Sequence, residues 1–228
     1  MEKYVISLGG SLIAPNGVDT SFVKGFIEAV EEFANRGDRF YVVCGGGKLA
    51  RDYQNAADRL GNVTDSDKDW LGIKATELNA LFLHQGFDKG LVYRRVLGNP
   101  DDTTSVENKV IVCCGYRLGR STDYIAVKTA ISNKITRVIN MSNISHVYDR
   151  DPSNNPDAIP YDNLNWNDYL RIIGDKTKWA PGMSSPFDFV ASGMAQRNGL
   201  EVCFIGRDLE NLRNLLMAKK FKGTIIRD

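Results

Sequence analysis

Histidine is nearly missing from this chain: His84 and His146 are the only two among 228 residues, which leaves little room for chemistry built on an imidazole base. An excess of either charge is missing too. Lysine and arginine number 29 against 28 acidic residues, a net charge of +1, and that balance points away from nucleic acid or a membrane as the main partner and toward a small molecule. No apolar run reaches the roughly 18 residues a membrane span needs. The opening MEKYVISLGG enters a strand-like segment without a signal peptide's apolar stretch, so a cytoplasmic protein is expected. The four cysteines, Cys44, Cys113, Cys114 and Cys203, lack the CxxC spacing of a zinc site and sit in or beside apolar runs, as buried thiols in a reducing compartment do. No metal-ligating set is read from the sequence. Neither the Gly-x4-Gly-Lys-Ser/Thr order of a Walker loop nor the Gly-x-Gly-x-x-Gly dinucleotide fingerprint occurs, so any nucleotide must be held by another scheme.

What is present is a regular alternation of short β-branched runs with helix-length amphipathic segments, the pattern of a parallel sheet covered on both faces by helices. Strands are expected at YVISL, FYVVC, LVYRRV, VIVCC, RVINM, EVCFI and GTIIR. A helix from Ser21 to Gly37 would bury Phe22, Phe26, Ile27, Val30 and Phe33. One from Lys48 to Leu60 would bury Leu49, Tyr53, Ala56 and Leu60, and one over residues 67–85 has Trp70, Ile73, Leu78, Leu81 and Phe82 as its apolar positions. Helices are also expected from Ser121, over Trp166–Ile173, over Phe187–Asn198 and from Asp208, with a Gly/Ser/Pro turn at WAPGMSSP. The whole chain reads as one domain, its natural division near residue 134.

Three loops that follow strands are suited to anions. SLGGS (residues 7–11) offers backbone N–H groups free of Cβ atoms, although a plain strand-ending turn explains such a motif equally well. GGGKLAR (45–51) adds a helix N-terminus with Lys48 and Arg51 near it. GYRLGRSTD (115–123) brings Arg117 and the hydroxyls of Ser121 and Thr122, with the alternative that Ser121 is an N-cap and Asp123 an ordinary first-turn acid. In a doubly wound sheet such loops share one edge, where ligands bind. After a fourth strand, SNISHVYDRDP (142–152) carries groups that could hold a nucleoside or simply form Asx turns.

In order along the chain, SLGGS, GGGKLARDY, DWLGI, GxxxGxSTD, SNxxxVYDxDP, PGxSSPFD and VCFIGRD resemble the amino acid kinase family and, within it, the archaeal-type UMP kinases. The resemblance implies a three-layer α/β/α sandwich with a doubly wound, mainly parallel sheet. Residues 1–134 would bind the phosphate acceptor and 135–228 would bind ATP. On this basis Ser7, Leu8, Gly9, Gly10 and Ser11 line the ATP phosphates, with Gly47 and Arg51 also facing ATP. Gly46 and Asp69 face UMP, and Tyr116, Arg117, Leu118, Gly119, Arg120, Ser121 and Thr122 wrap it. Ser142, Asn143, Tyr148 and Asp151 hold the nucleoside of ATP, and Asp188 matches an aspartate that organises the catalytic centre.

The implied reaction is in-line transfer from ATP to UMP, with Mg²⁺ accompanying ATP and with Lys48, Arg51 and Asp188 as catalytic groups. A homo-oligomer, a hexamer, is implied as well. Transfer to an already ionised phosphate needs positive charge more than a base, which suits a chain poor in histidine. Ser7 stands where many members of the family carry a lysine. Tyr116, Arg117 and Leu118 depart from the usual acceptor loop, and Ser145 and His146 replace an Asp-Gly pair in the nucleoside loop. These departures leave open a related enzyme with another phosphate, carboxylate or carbamate acceptor, and a non-catalytic nucleotide-binding protein.

Overall fold

In the computed structural model, residues 1–174 and 186–228 are described; most of the expected WAPGMSSP turn, and Pro181–Ser185 of PGMSSPFD, lie outside them. The strands are β1 (Lys3–Leu8), β2 (Arg39–Cys44), β3 (Val110–Cys113), β4 (Arg137–Met141), β5 (Val147–Tyr148), β6 (Pro160–Tyr161), β7 (Asn163–Leu164), β8 (Glu201–Ile205) and β9 (Thr224–Ile226). The helices are α1 (Gly10–Ile13), α2 (Thr20–Asn35), α3 (Gly47–Asp58), α4 (Asp65–Gly86), α5 (Thr122–Ser132), α6 (Trp166–Ile173), α7 (Phe189–Arg197) and α8 (Leu209–Leu216). Seven strands form one sheet in the order β3-β2-β1-β4-β8-β9-β7, parallel except for the β8–β9 pair. β5 and β6 form a separate antiparallel pair.

Alternation along the strands builds two cores. Ile6, Val42, Val112 and Ile139 face α2, α4 and α8, whereas Val5, Val43, Ile111 and Val138 face α5, α6 and α7, as period-two side chains on a sheet covered on both sides require. The result is the expected three-layer α/β/α sandwich. α2 illustrates the local logic. Asp19 accepts the Phe22 N–H at 2.9 Å as the N-cap, worth about 1 kcal/mol. Phe22, Phe26, Val30 and Phe33 are buried, each contributing roughly 2 kcal/mol. Gly37, at φ +107°, ends the helix in a conformation that other residues resist.

Three expectations fail. LVYRRV is not a strand: only isolated bridges, Val92 with Val110 and Leu97 with Cys113, tie this segment to β3. α3 buries Ala50, Gln54 and Ala57 rather than Tyr53 and Leu60, which are 59% and 79% exposed. That is a rotation by one residue, about 100°. Its cause is close contact with α4, where a Cβ on Gly72 would lie 2.9 Å from Gln54 Nε2 and that same nitrogen donates to Lys68 O at 2.9 Å. On α4, Trp70, Leu78, Leu81 and Phe82 are exposed, and the buried face is instead Asp69, Ile73, Thr76, Asn79, Ala80, Leu83 and His84. Asp69, Thr76 and Asn79 of that face reach toward the loops at the sheet edge, and His84 contacts Tyr93 O.

Candidate functional site

The loops after β1, β2, β3 and β4 leave the carboxyl edge of the sheet side by side, because Leu8 is paired with both Cys44 and Met141 in parallel register. The first two loops interlock through their backbones. Gly9 N–H donates to Met141 O at 2.9 Å and Gly45 N–H to Leu8 O at 2.8 Å. A Cβ on Gly10 would lie 2.3 Å from Gly45 O, and one on Gly47, whose φ is +60°, 2.2 Å from Gly10 C. Only hydrogen fits at either position. Asn79 of α4 donates to Gly45 O at 2.8 Å, and Arg51 bridges to Ser11 Oγ at 3.1 Å.

The loop after β3 is held from α4 by side chains. Thr76 Oγ1 accepts the Gly115 N–H at 2.9 Å, and Asp69 accepts the Gly119 N–H at 2.5 Å. Burial raises the Asp69 carboxyl above its ordinary range, partly offset by that Gly119 bond. The loop leaves Tyr116, Arg117 and Leu118 exposed and ends at Ser121, which accepts the Tyr124 N–H at 3.1 Å as N-cap of α5. Ser121 is therefore a cap, and Thr122 begins the helix.

Beneath the loops lies a pair of carboxylates. Asp123, from the first turn of α5, accepts from Ser7 Oγ at 3.0 Å, from Asn140 Nδ2 at 3.3 Å and from the Asp188 N–H at 3.1 Å. Desolvation and the neighbouring Asp188 push its carboxyl up to about 7. Asp188 caps α7 by accepting the Ala191 N–H at 2.7 Å. Burial raises its carboxyl as well, opposed by the backbone N–H groups of Ala191 and Val190 and by the charge of Arg120. Among the described residues no lysine or arginine forms an ion pair with either carboxylate. Asp123 and Asn140 were not singled out from the sequence as functional. The available signal was the acid that closes the GxxxGxSTD block at a helix start facing the strand ends.

On the far side of the edge, Ser142, Asn143, Tyr148 and Asp151 line one cavity of about 460 Å³ together with Ile144, Ile172, Ile173 and Pro186. Apolar walls with a few polar groups suit a planar base. Asp151 is committed to its own turn, accepting from Ser153 N at 2.9 Å and Asn154 Nδ2 at 3.0 Å. His146 is not at positive φ. It is buried, with Nδ1 2.9 Å from Ser145 Oγ, so this turn is built without the left-handed residue a glycine would supply. Lys48 pairs with Asp52 at 2.6 Å on the exposed side of α3.

A sheet edge with interlocked glycine turns, a side-chain-tethered third loop and paired carboxylates defines a phosphate-binding α/β protein outside the Walker and dinucleotide-fold schemes. The profile of the amino acid kinase family matches residues 2–206, and the chain belongs to that family. It is 31% identical to a uridylate kinase of Methanocorpusculum labreanum, covering 99% of this chain and 96% of that one. Identity to a uridylate kinase of Thermoplasma volcanium is also 31%, covering 100% and 98%. The crystal structure of uridylate kinase from Archaeoglobus fulgidus superposes with a TM-score of 0.83 at 28% identity, covering 99% of this chain and all of that one.

Proposed function

We propose that this chain phosphorylates UMP to UDP at the expense of ATP, a step of pyrimidine nucleotide synthesis. What supports the reading is the convergence of Ser7, Asn140 and Asp188 on Asp123 at the sheet edge where the glycine turns and the loop after β3 emerge, in a chain related over its full length to uridylate kinases. UMP takes the side walled by Asp69 and the loop Tyr116–Thr122, within residues 1–134. ATP takes the cavity of Ser142, Asn143, Tyr148 and Asp151, with its phosphates over Ser7–Ser11 and Gly47.

Among the described residues no group of three or more His, Cys, Asp or Glu could hold a metal ion; in this reading Mg²⁺ enters with the ATP phosphates and neutralises their charge. The chain's own part is positioning. Backbone N–H groups of the glycine turns orient the phosphates. Asp69 fixes the acceptor loop, and Asp188 fixes the start of α7. Lys48 can span the acceptor and γ-phosphates by exchanging Asp52 for phosphate, an exposed pair worth less than about 1 kcal/mol, and Arg51 supplies further positive charge.

The exposed apolar positions Tyr53, Trp70, Leu78, Leu81 and Phe82 on α3 and α4, with Leu60 between the two helices, favour self-association, with a hexamer as the assembly to test by light scattering. No described helix is long and apolar enough to cross a membrane. Four unpaired cysteines and a nucleotide substrate fit the cytoplasm.

A coupled ADP-release assay across UMP, CMP, dUMP and small carboxylates tests the function, with UMP expected to be turned over fastest. Turnover of another acceptor without UMP would replace it with the related-kinase reading, which the exposed Tyr116 and Leu118 favour. ATP binding without transfer to any acceptor would leave a nucleotide-binding protein.

A further inference from the structure

We propose that Arg120 is the cation that grips the transferring phosphoryl group above the Asp123–Asp188 pair, through the edge formed by its Nε and Nη2. The inference rests on the phosphoryl-transfer reading above and adds a residue to it. Arg120 is pinned by its neighbours on both sides: Gly119 is held by Asp69 of α4, and Ser121 caps α5. Its guanidinium lies 4.9 Å from the Tyr124 ring centroid, and Nη1 donates to Gly119 O at 2.8 Å. Nε is shielded from solvent yet, among the described residues, has no hydrogen-bond partner. A buried donor left unpaired is costly and marks a place where an acceptor belongs.

The Nε and outer Nη N–H groups point the same way with the spacing of two oxygens on one phosphorus, a match an ammonium cannot reproduce. Among the described residues Arg120 forms no ion pair, and Asp188 feels its charge. By contrast, Lys48 is held by Asp52 and Arg51 by Ser11. Lys48 must first leave a carboxylate and Arg51 a hydroxyl, whereas the Nε of Arg120 has no hydrogen bond to give up among the described residues.

In the transfer, an oxygen of the acceptor phosphate forms a bond to the γ-phosphorus. The bond from that phosphorus to the bridging β,γ oxygen breaks, and the electron pair leaves with ADP. A dianionic acceptor has no proton to lose. Charge accumulates on the equatorial oxygens of the moving group, where the Arg120 fork would sit.

The test compares Arg120→Gln, Arg120→Lys and wild type in kcat and KM for UMP and ATP. Calorimetric binding of tripolyphosphate gives a readout that does not depend on the acceptor's identity. The expected result is a loss of about 100-fold in kcat for Arg120→Gln, partial recovery in Arg120→Lys, tripolyphosphate binding weakened about tenfold or more, and an unchanged melting temperature. Wild-type kcat and tripolyphosphate affinity in Arg120→Gln would overturn the proposal. So would a kcat loss accompanied by a lowered melting temperature and unchanged tripolyphosphate binding, which would make Arg120 structural. If the wild type fails with UMP while tripolyphosphate binding still depends on Arg120, the substrate reading falls and the phosphate grip stands. UMP turnover indifferent to Arg120 gives the reverse.

Discussion

The turns after β1 and β2 and the loop after β3 reach the same sheet edge by different physical means. The first two are shaped by what is missing: with no Cβ at Gly10 or Gly47, two backbones approach to distances no other residue allows. The third is shaped by what reaches it, the hydroxyl of Thr76 and the carboxylate of Asp69. Steric interlocking gives a rigid wall, whereas two hydrogen bonds give a tether that can adjust as an acceptor enters. Under the proposed function, the donor phosphates would meet fixed geometry, and the acceptor would meet a surface with room to close.

The comparison is broken most severely by Gly10→Ala. Its methyl group would overlap the Gly45–Gly47 backbone, and a loss of about 4 kcal/mol is expected in chemical denaturation; a loss below about 1 kcal/mol would mean the two turns move apart freely.

Next comes the pH dependence of Asp123, which lies under both regions. Its carboxyl is raised from an ordinary 3.8 to about 7, so between those values the folded protein binds more protons than the unfolded chain. Stability must then fall as pH rises through this window. Wild type should lose about 2 kcal/mol relative to Asp123→Asn between pH 4 and pH 8, less than the full shift because solvent screens a half-buried group. Parallel stability profiles for the two proteins would show that Asp123 titrates normally.

Asp69→Asn should raise KM for UMP by about tenfold, the scale of one charge-assisted hydrogen bond, and leave KM for ATP nearly unchanged. The opposite pattern would mean that the two sites are interchanged. The smallest effect is expected from Gly119→Ala. Gly119 has φ +71° but open space around its missing Cβ, so the cost should be only the left-handed strain of about 1 kcal/mol.

The same contrast explains what the sequence could reveal. Glycine runs after strands are local signals, and alternation such as Val5 and Ile6 falling in separate cores is read directly from the order of residues. The layers and the glycine turns were accordingly legible. The rotation of α3 was not, because the close α3–α4 contact at Gly72 and Gln54, and not the apolar pattern, decides which face is buried. LVYRRV has strand-like composition but makes only single bridges to β3. Asp123 looked like an ordinary first-turn acid until folding brought up Asp188, 65 residues away. The depressed or raised ionisation of a carboxylate depends on neighbours in space, and local spacing does not encode them.

The central claim is that two nucleotides place their phosphates over one centre, and the most direct measurement is the calorimetric affinity of adenosine and uridine joined by a 5′,5′-oligophosphate, compared with ATP and UMP alone. Linking the two should give one molecule bound per chain at least about 100-fold tighter than either nucleotide. An affinity no better than that of ATP, or two linked molecules bound per chain, would contradict the account.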